Sequence, residues 1–223
     1  MIAQPETYTK KQAVSALFLF LIVFFLAFSQ GLFVMSDLPL SLIRSSNYLF
    51  PILDIAALII FLGVFKEKAE SIGIHLKNLK QSMLWGFLFL GVQLIFYASI
   101  SYLFNDVSKI MLGSINLPMV ILFFNSALAE EMIYRGYIET RLQGLVQNRH
   151  LCSIITAILF VLIHYPLKWM SGQQLNALSF PHILLLLSLH VTCSLTYKKS
   201  NCLWGAVCLH LLYNLGNSLT IFI

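Results

Sequence analysis

Charge is what this sequence has least of: Asp, Glu, Lys and Arg together make up 10% of its 223 residues. Soluble domains run near ~25% charged and ~45–50% apolar, whereas here the apolar share is 59% and the mean hydropathy +0.84. A water-soluble globular protein is excluded as the leading reading, and the length suits several membrane spans. Cysteine is sparse too. Cys152, Cys193, Cys202 and Cys208 form no CxxC pair and lie in or beside apolar segments, so a disulfide framework and a thiolate metal site lack support and buried small hydrophobes are the plainer reading. There is no GxSxG elbow, no HExxH helix and no pair of intramembrane aspartates. Those absences argue against hydrolase-elbow, standard zincin and aspartyl intramembrane protease chemistry. The net charge of +5 sits in short basic groups between apolar runs, with no basic face carrying interleaved aromatics, so no nucleic-acid partner is expected.

What is present is a series of seven apolar segments, at 14–35, 48–65, 82–104, 118–139, 151–165, 182–197 and 202–223. A spanning helix needs about 20 residues, so the fifth and sixth are tilted, re-entrant or extended by flanking residues. The expected fold is an all-α polytopic membrane protein, with about seven transmembrane helices around a polar intramembrane cavity and the lipid bilayer as its surroundings. It is expected to form one structural domain. Residues 1–117 give the N-terminal spans and a loop, and 118–223 a helical core holding the polar motifs.

Lys10 and Lys11 precede the first span; Lys66, Lys68, Lys77 and Lys80 fill the second connection, Arg141 and Arg149 the fourth, Lys198 and Lys199 the sixth. The intervening connections hold Arg44, Lys109 and Lys168, one each. By the positive-inside rule the N-terminus is cytoplasmic and the C-terminus outside. The first segment also has the makings of a signal peptide, with Ala27 and Ser29 as a small-residue cleavage pattern, but its apolar run resumes through Met35 and a retained helix is favoured. Residues 66–81 read either as an amphipathic surface stretch, with Ile72, Ile74, Leu76 and Leu79 apolar, or as a plain cytoplasmic loop.

Ionisable side chains inside a span are costly and usually functional. The fourth segment holds Glu130, Glu131 and Arg135, the fifth His164, and the seventh His210 with Asn214. Adjacent residues on an α-helix point about 100° apart, so the two glutamates cannot both face the same atom. Glu131 and Arg135, four apart with the acid first, have the favoured pairing geometry. Glu130 then lacks an in-helix cation, which suits a group that takes a proton and returns it. A buried ion network that only fixes helix packing is the competing reading. His210 and Asn214 share a helix face, either as two donors to a developing oxyanion or as an interhelical hydrogen-bond pair. His164, just before Tyr165-Pro166, either joins this cluster or reaches the interface. Asp54, alone in the second span, is a helix contact or a cavity wall, and His182 and His190 look structural, as no acid accompanies them.

At these residues the sequence resembles the CAAX protease and bacteriocin-processing family of glutamate-type intramembrane endopeptidases. Glu130-Glu131-Met-Ile-Tyr-Arg135-Gly136 looks like its EExxxR motif, Phe160 to His164 like FxxxH, and His210 to Asn214 like HxxxN, with Trp204-Gly205 as the usual lead-in. The three motifs fall in the right order on three spans and cover about 118–223. The resemblance implies that Glu130 and His164 activate water, that His210 and Asn214 form the oxyanion site, and that Glu131 and Arg135 orient it. The substrate would be a membrane-associated peptide or protein. No cofactor is favoured; if zinc is used, Glu130, His164 and His210 would be its ligands. Tyr134 stands where the family often has Phe, a departure not expected to affect the chemistry. The short chain looks more like bacterial members, implying the bacterial plasma membrane, and nothing in it singles out a prenylated substrate. The alternatives are a non-proteolytic membrane partner or bacteriocin-immunity protein and, with less support, a proton-coupled transporter, for which no inverted repeat is visible.

Overall fold

The structure, a computed structural model, describes residues 8–104, 110–112, 114–170 and 179–222. Its first helix, α1 (Lys10–Met35), starts at a capping box: the Thr9 hydroxyl accepts from the Gln12 amide while the Gln12 side chain accepts from the Thr9 amide. After it come α2 (Leu40–Val64) and α3 (Leu79–Phe104). α4 (Leu117–Glu130) starts at an Asn116 cap with Pro118 in its first turn. It runs without a break through a π-helical turn (Glu131–Ile138), α5 (Glu139–Arg141) and a 3-10 turn (Leu142–Gly144). The rest is α6 (Arg149–Leu162), α7 (Tyr165–Met170), α8 (Phe180–Ser200) and α9 (Trp204–Leu219), with short strands β1 (Ile110–Leu112) and β2 (Thr220–Phe222) paired antiparallel.

Six of these helical stretches are long and apolar enough to cross a membrane. The fifth and sixth, short as apolar runs, are extended by flanking residues to Arg149–Trp169 and Phe180–Ser200, 21 residues each. α9 has 16 residues and gives way to β2, short of the apolar run to 223; residue 223 lies outside the described residues. The protein is an all-helical polytopic membrane protein, and its polarity is reversed relative to a soluble bundle. Arg135 and Arg141 are fully buried while Ile60 and Ile95 are 65% and 70% exposed, the arrangement a lipid solvent favours.

The even-numbered connections meet at one end. Glu67 pairs with Arg141, Lys198 with Glu139 at 2.5 Å, and Asn78 donates to the Ser200 carbonyl. Gln12, at the start of α1, also reaches Glu67. At the opposite end Gln30 donates to Asn47, and the Tyr48 hydroxyl to the Pro118 carbonyl. This is the segregation that alternating crossings require.

Residues 66–81 are neither an amphipathic helix nor a free loop. Ala69–Ile72 forms a 3-10 turn closed by left-handed Gly73, with Ile72 fully buried and Leu76 74% exposed. The turn seats on Gly136: a Cβ there would stand 2.8 Å from the Ile72 carbonyl oxygen, so only glycine fits. Arg141, read above as a loop charge, is instead buried against this turn. Arg44 falls within α2 and Lys168 within α7, while Lys109 lies outside the described residues. Gly205 has the same role on the other side. Its amide donates to the Ser82 hydroxyl at 2.9 Å, and the Ser82 backbone leaves no room for a side chain, so α3 and α9 pack closely.

Candidate active site

The polar residues of α4 and α9 meet. Glu131 and Arg135, both fully buried, lie 3.0 Å apart from Oε1 to Nη1. They pair by proximity rather than through an aligned hydrogen bond, since Arg135 Nη1 has no bonding partner among the described residues. The same Glu131 Oε1 accepts from His210 Nδ1 at 2.8 Å, while His210 Nε2 stands 3.9 Å from Glu130 Oε2. One imidazole therefore spans both glutamates. On a regular α-helix, as expected from the sequence, adjacent glutamates diverge by about 100°. The π-helical turn beginning at Glu131 is wider, so successive side chains diverge less, and the ring offers a separate nitrogen to each acid. Such turns are frequent at functional sites.

His164 is positioned by a break. Pro166 lacks an amide hydrogen and its ring excludes the carbonyl four residues earlier, so α6 ends at Leu162 and α7 restarts at Tyr165. At the break the His164 amide bonds to the Val161 carbonyl, three residues back, and the Phe160 carbonyl is left for the imidazole: His164 Nδ1 lies 2.7 Å from it. A carbonyl can only accept, so Nδ1 carries the proton and Nε2 is left as the basic nitrogen.

Phe160 is the hub that sequence reasoning missed, though it opens the FxxxH stretch. Its ring lies beneath the Arg135 guanidinium at 4.3 Å and contacts the rings of Tyr134, His164, His190 and His210 at 5.2, 5.1, 5.7 and 6.3 Å. Inside an apolar run a ring with this task looks like any other phenylalanine. His190, fully buried, also belongs to this cluster.

Glu130 and His164 line a cavity of about 300 Å³ between α1, α2, α4 and the α6–α7 break. Asp54, Tyr134 and Lys168 line it too, as does the Gln30–Asn47 pair. Lys168 donates to His182 Nε2 at 3.1 Å. His210 is not on the cavity wall but sits buried behind Glu130, and Asn214, one turn further along α9, is half-buried and also off the wall. The structure thus brings together Glu130, Glu131, Arg135 and His210 by contact, and Glu130 with His164 across one hollow. Among the described residues Asn214 makes no hydrogen bond to any of them. For metals, the potential ligand atoms that cluster among the described residues are those of Glu131, Cys193 and His210, within 4.8 Å of one another. This set suits a catalytic cation poorly. All three residues are buried away from the cavity, and the Arg135 guanidinium already neutralises Glu131.

Residues 112–216, from the end of β1 through most of α9, match the profile of the family described as type II CAAX prenyl endopeptidase Rce1-like. This segment is Rce1-like. No curated protein and no solved structure matches the chain. The Rce1-like segment contains every one of the residues gathered above except Asp54, Gln30 and Asn47, which α1 and α2 contribute to the cavity from outside it. The match covers the stretch that carries the three motifs and agrees with them.

Proposed function

We propose that the protein is an intramembrane endopeptidase that hydrolyses a peptide bond of a membrane-associated peptide or protein. The observation that supports this reading best is the placing of Glu130 and His164 on one hollow inside the bundle, where water can stand between a carboxylate and a free imidazole nitrogen. Glu130 takes a proton as the water oxygen bonds to the scissile carbonyl carbon. His164 Nε2 holds that water in line. Because His210 Nδ1 is committed to Glu131, its Nε2 is the nitrogen turned toward Glu130; in this reading that nitrogen also carries a proton and, with Asn214, donates to the oxyanion of a substrate that reaches past Glu130. Collapse breaks the carbon–nitrogen bond, and the proton held by Glu130 passes to the departing amine. Glu131 and Arg135 orient the imidazole and touch no substrate. Preorganised donors in a water-poor site act strongly because no solvent need reorganise around the developing charge. In this reading the N-terminus is cytoplasmic in a bacterial plasma membrane, with the even-numbered connections on that side.

Glu130→Gln keeps the shape and removes the base. It is expected to lower cleavage by roughly 10²–10⁴-fold with insertion and thermal stability unchanged, as read by peptidomes of cells carrying either form. If Glu130→Gln, His164→Ala and His210→Ala all retain the biological activity, proteolysis is not the function, and a membrane-partner or immunity role takes its place. The site is further proposed to work without metal. Purified protein should cleave in the presence of a chelator, and activity that disappears with chelation and returns with Zn²⁺ would overturn this.

A further inference from the structure

Three residues that line the cavity each carry a buried polar atom with no hydrogen-bond partner among the described residues: Asp54 Oδ1, Glu130 Oε2 and the Tyr134 hydroxyl. Glu130 is accounted for by the proposed chemistry. The other two are not. Tyr134 is 1% exposed, and a buried phenol normally finds an acceptor. Its ring packs T-shaped against Phe160 with centroids 5.2 Å apart, and the residue lines the cavity. Asp54 lies on the α2 stripe Asn47, Phe50, Pro51, Asp54 that faces the same hollow.

A donor and an acceptor share one small cavity and do not bond to each other. Leaving both unmade costs more than a direct phenol–carboxylate bond would, so the arrangement is built for a third party. A cation would satisfy the carboxylate and leave the phenol's proton unused; an anion would do the reverse. A peptide amide satisfies both, since its carbonyl accepts and its N–H donates. We propose that Tyr134 and Asp54 form a two-point clamp on one backbone amide of the substrate beside the scissile bond. The Tyr134 hydroxyl donates to the amide oxygen, and the Asp54 carboxylate accepts from the amide nitrogen. The clamp rests on the endopeptidase reading of the same cavity. It makes α2, which lies outside the Rce1-like segment, part of the substrate site.

The test uses the full chain in lipid vesicles with a pooled set of hydrophobic synthetic peptides as the probe. Each peptide is also made with single backbone amides replaced by esters, which removes the N–H alone. Cleavage is read by mass spectrometry, and binding to Glu130→Gln protein by native mass spectrometry. Tyr134→Phe keeps the ring and removes only an unpartnered hydroxyl, so the fold and thermal midpoint should not change. It should raise KM by up to ~10-fold, about the worth of one hydrogen bond, with kcat nearly unchanged. Asp54→Ala, which removes the acceptor, should do likewise. For one ester position the loss should match that of Asp54→Ala and not add to it, in binding as in cleavage. Additive losses, or ester and amide peptides bound alike by every form, would overturn the clamp. If wild-type protein cuts none of the peptides yet shows the ester-dependent binding, the clamp stands and the endopeptidase reading falls. If it shows neither, both fall.

Discussion

Two buried arginines lie six residues apart on one continuous helix, and they are held differently. Arg141, at the end where the even-numbered connections meet, donates to Ser71 through both carbonyl and hydroxyl, to the Gly136 carbonyl, to Thr140 and to Glu67, with the rings of Tyr8 and Tyr137 on its faces. Arg135, in the helix middle, has one unaligned ion pair with Glu131 and the face of Phe160. Around Arg141 almost every polar atom is spent on joining elements. Around Arg135 several have no hydrogen-bond partner among the described residues: Glu130 Oε2, the Tyr134 hydroxyl and Asp54 Oδ1. Packing alone does not leave such groups unmatched, because each buried orphan costs about 1–3 kcal/mol. The difference suits the first region to fastening and, in the reading proposed above, the second to substrate binding.

Breaking the fastening should show this most strongly. Arg141→Met removes the cation and leaves the Glu67 carboxylate in a nearly closed pocket, which is expected to destabilise the protein by about 3–5 kcal/mol. Unfolding in detergent mixtures would measure it, and the surviving folded fraction should keep its specific activity. A variant that stays stable but loses turnover would show that Arg141 belongs to the chemistry after all. Gly136→Ala sharpens the comparison from the other side, because Gly136 sits between the two arginines where the Ile72 turn crosses the helix. The added methyl meets backbone, which cannot swing aside, so a cost of about 1–3 kcal/mol is expected. The displaced helix should also carry Glu131 away from His210, which would appear as lost turnover out of proportion to lost stability.

The six long helices were legible because lipid requires long apolar runs, and the run is the signal. The Glu131–Arg135 pair was legible for a related reason: two opposite charges four apart in such a run have few other uses. What escaped depends on features without a period or a composition. The π-helical turn changes which neighbours meet His210, and nothing in Glu130-Glu131-Met-Ile-Tyr-Arg135 announces it. Phe160 and Tyr134 are disguised by surroundings rich in aromatics. Arg141 stands beside a connection, where a topology count takes every cation as solvated; its burial follows from a turn 70 residues away in sequence that seats on Gly136. Asp54 was visible as a lone intramembrane acid, but a partner four residues along was the only kind that sequence could test for. Its neighbours in the cavity come instead from other helices.

The smallest effect is expected where the fastening reaches water. Lys198 is 40% exposed and pairs with Glu139, which is itself buried. Glu139 does not depend on that cation, because the Ser194 hydroxyl bonds its carboxylate at 2.7 and 2.8 Å, and the ammonium gains little from an attraction that solvent screens. Lys198→Met should therefore cost about 0.2–1 kcal/mol and leave turnover unchanged, whereas Ser194→Ala, which strips the buried acid of its enclosed donor, should cost more. The order of those two losses decides whether this end of the molecule is held by charge at its surface or by hydrogen bonds beneath it. If Lys198→Met proved the more damaging, the α8 contact would be electrostatic and sensitive to salt. With Ser194→Ala the larger, added salt should leave stability nearly flat, and the fastening would owe its strength to the same enclosure that makes Arg141 costly to remove.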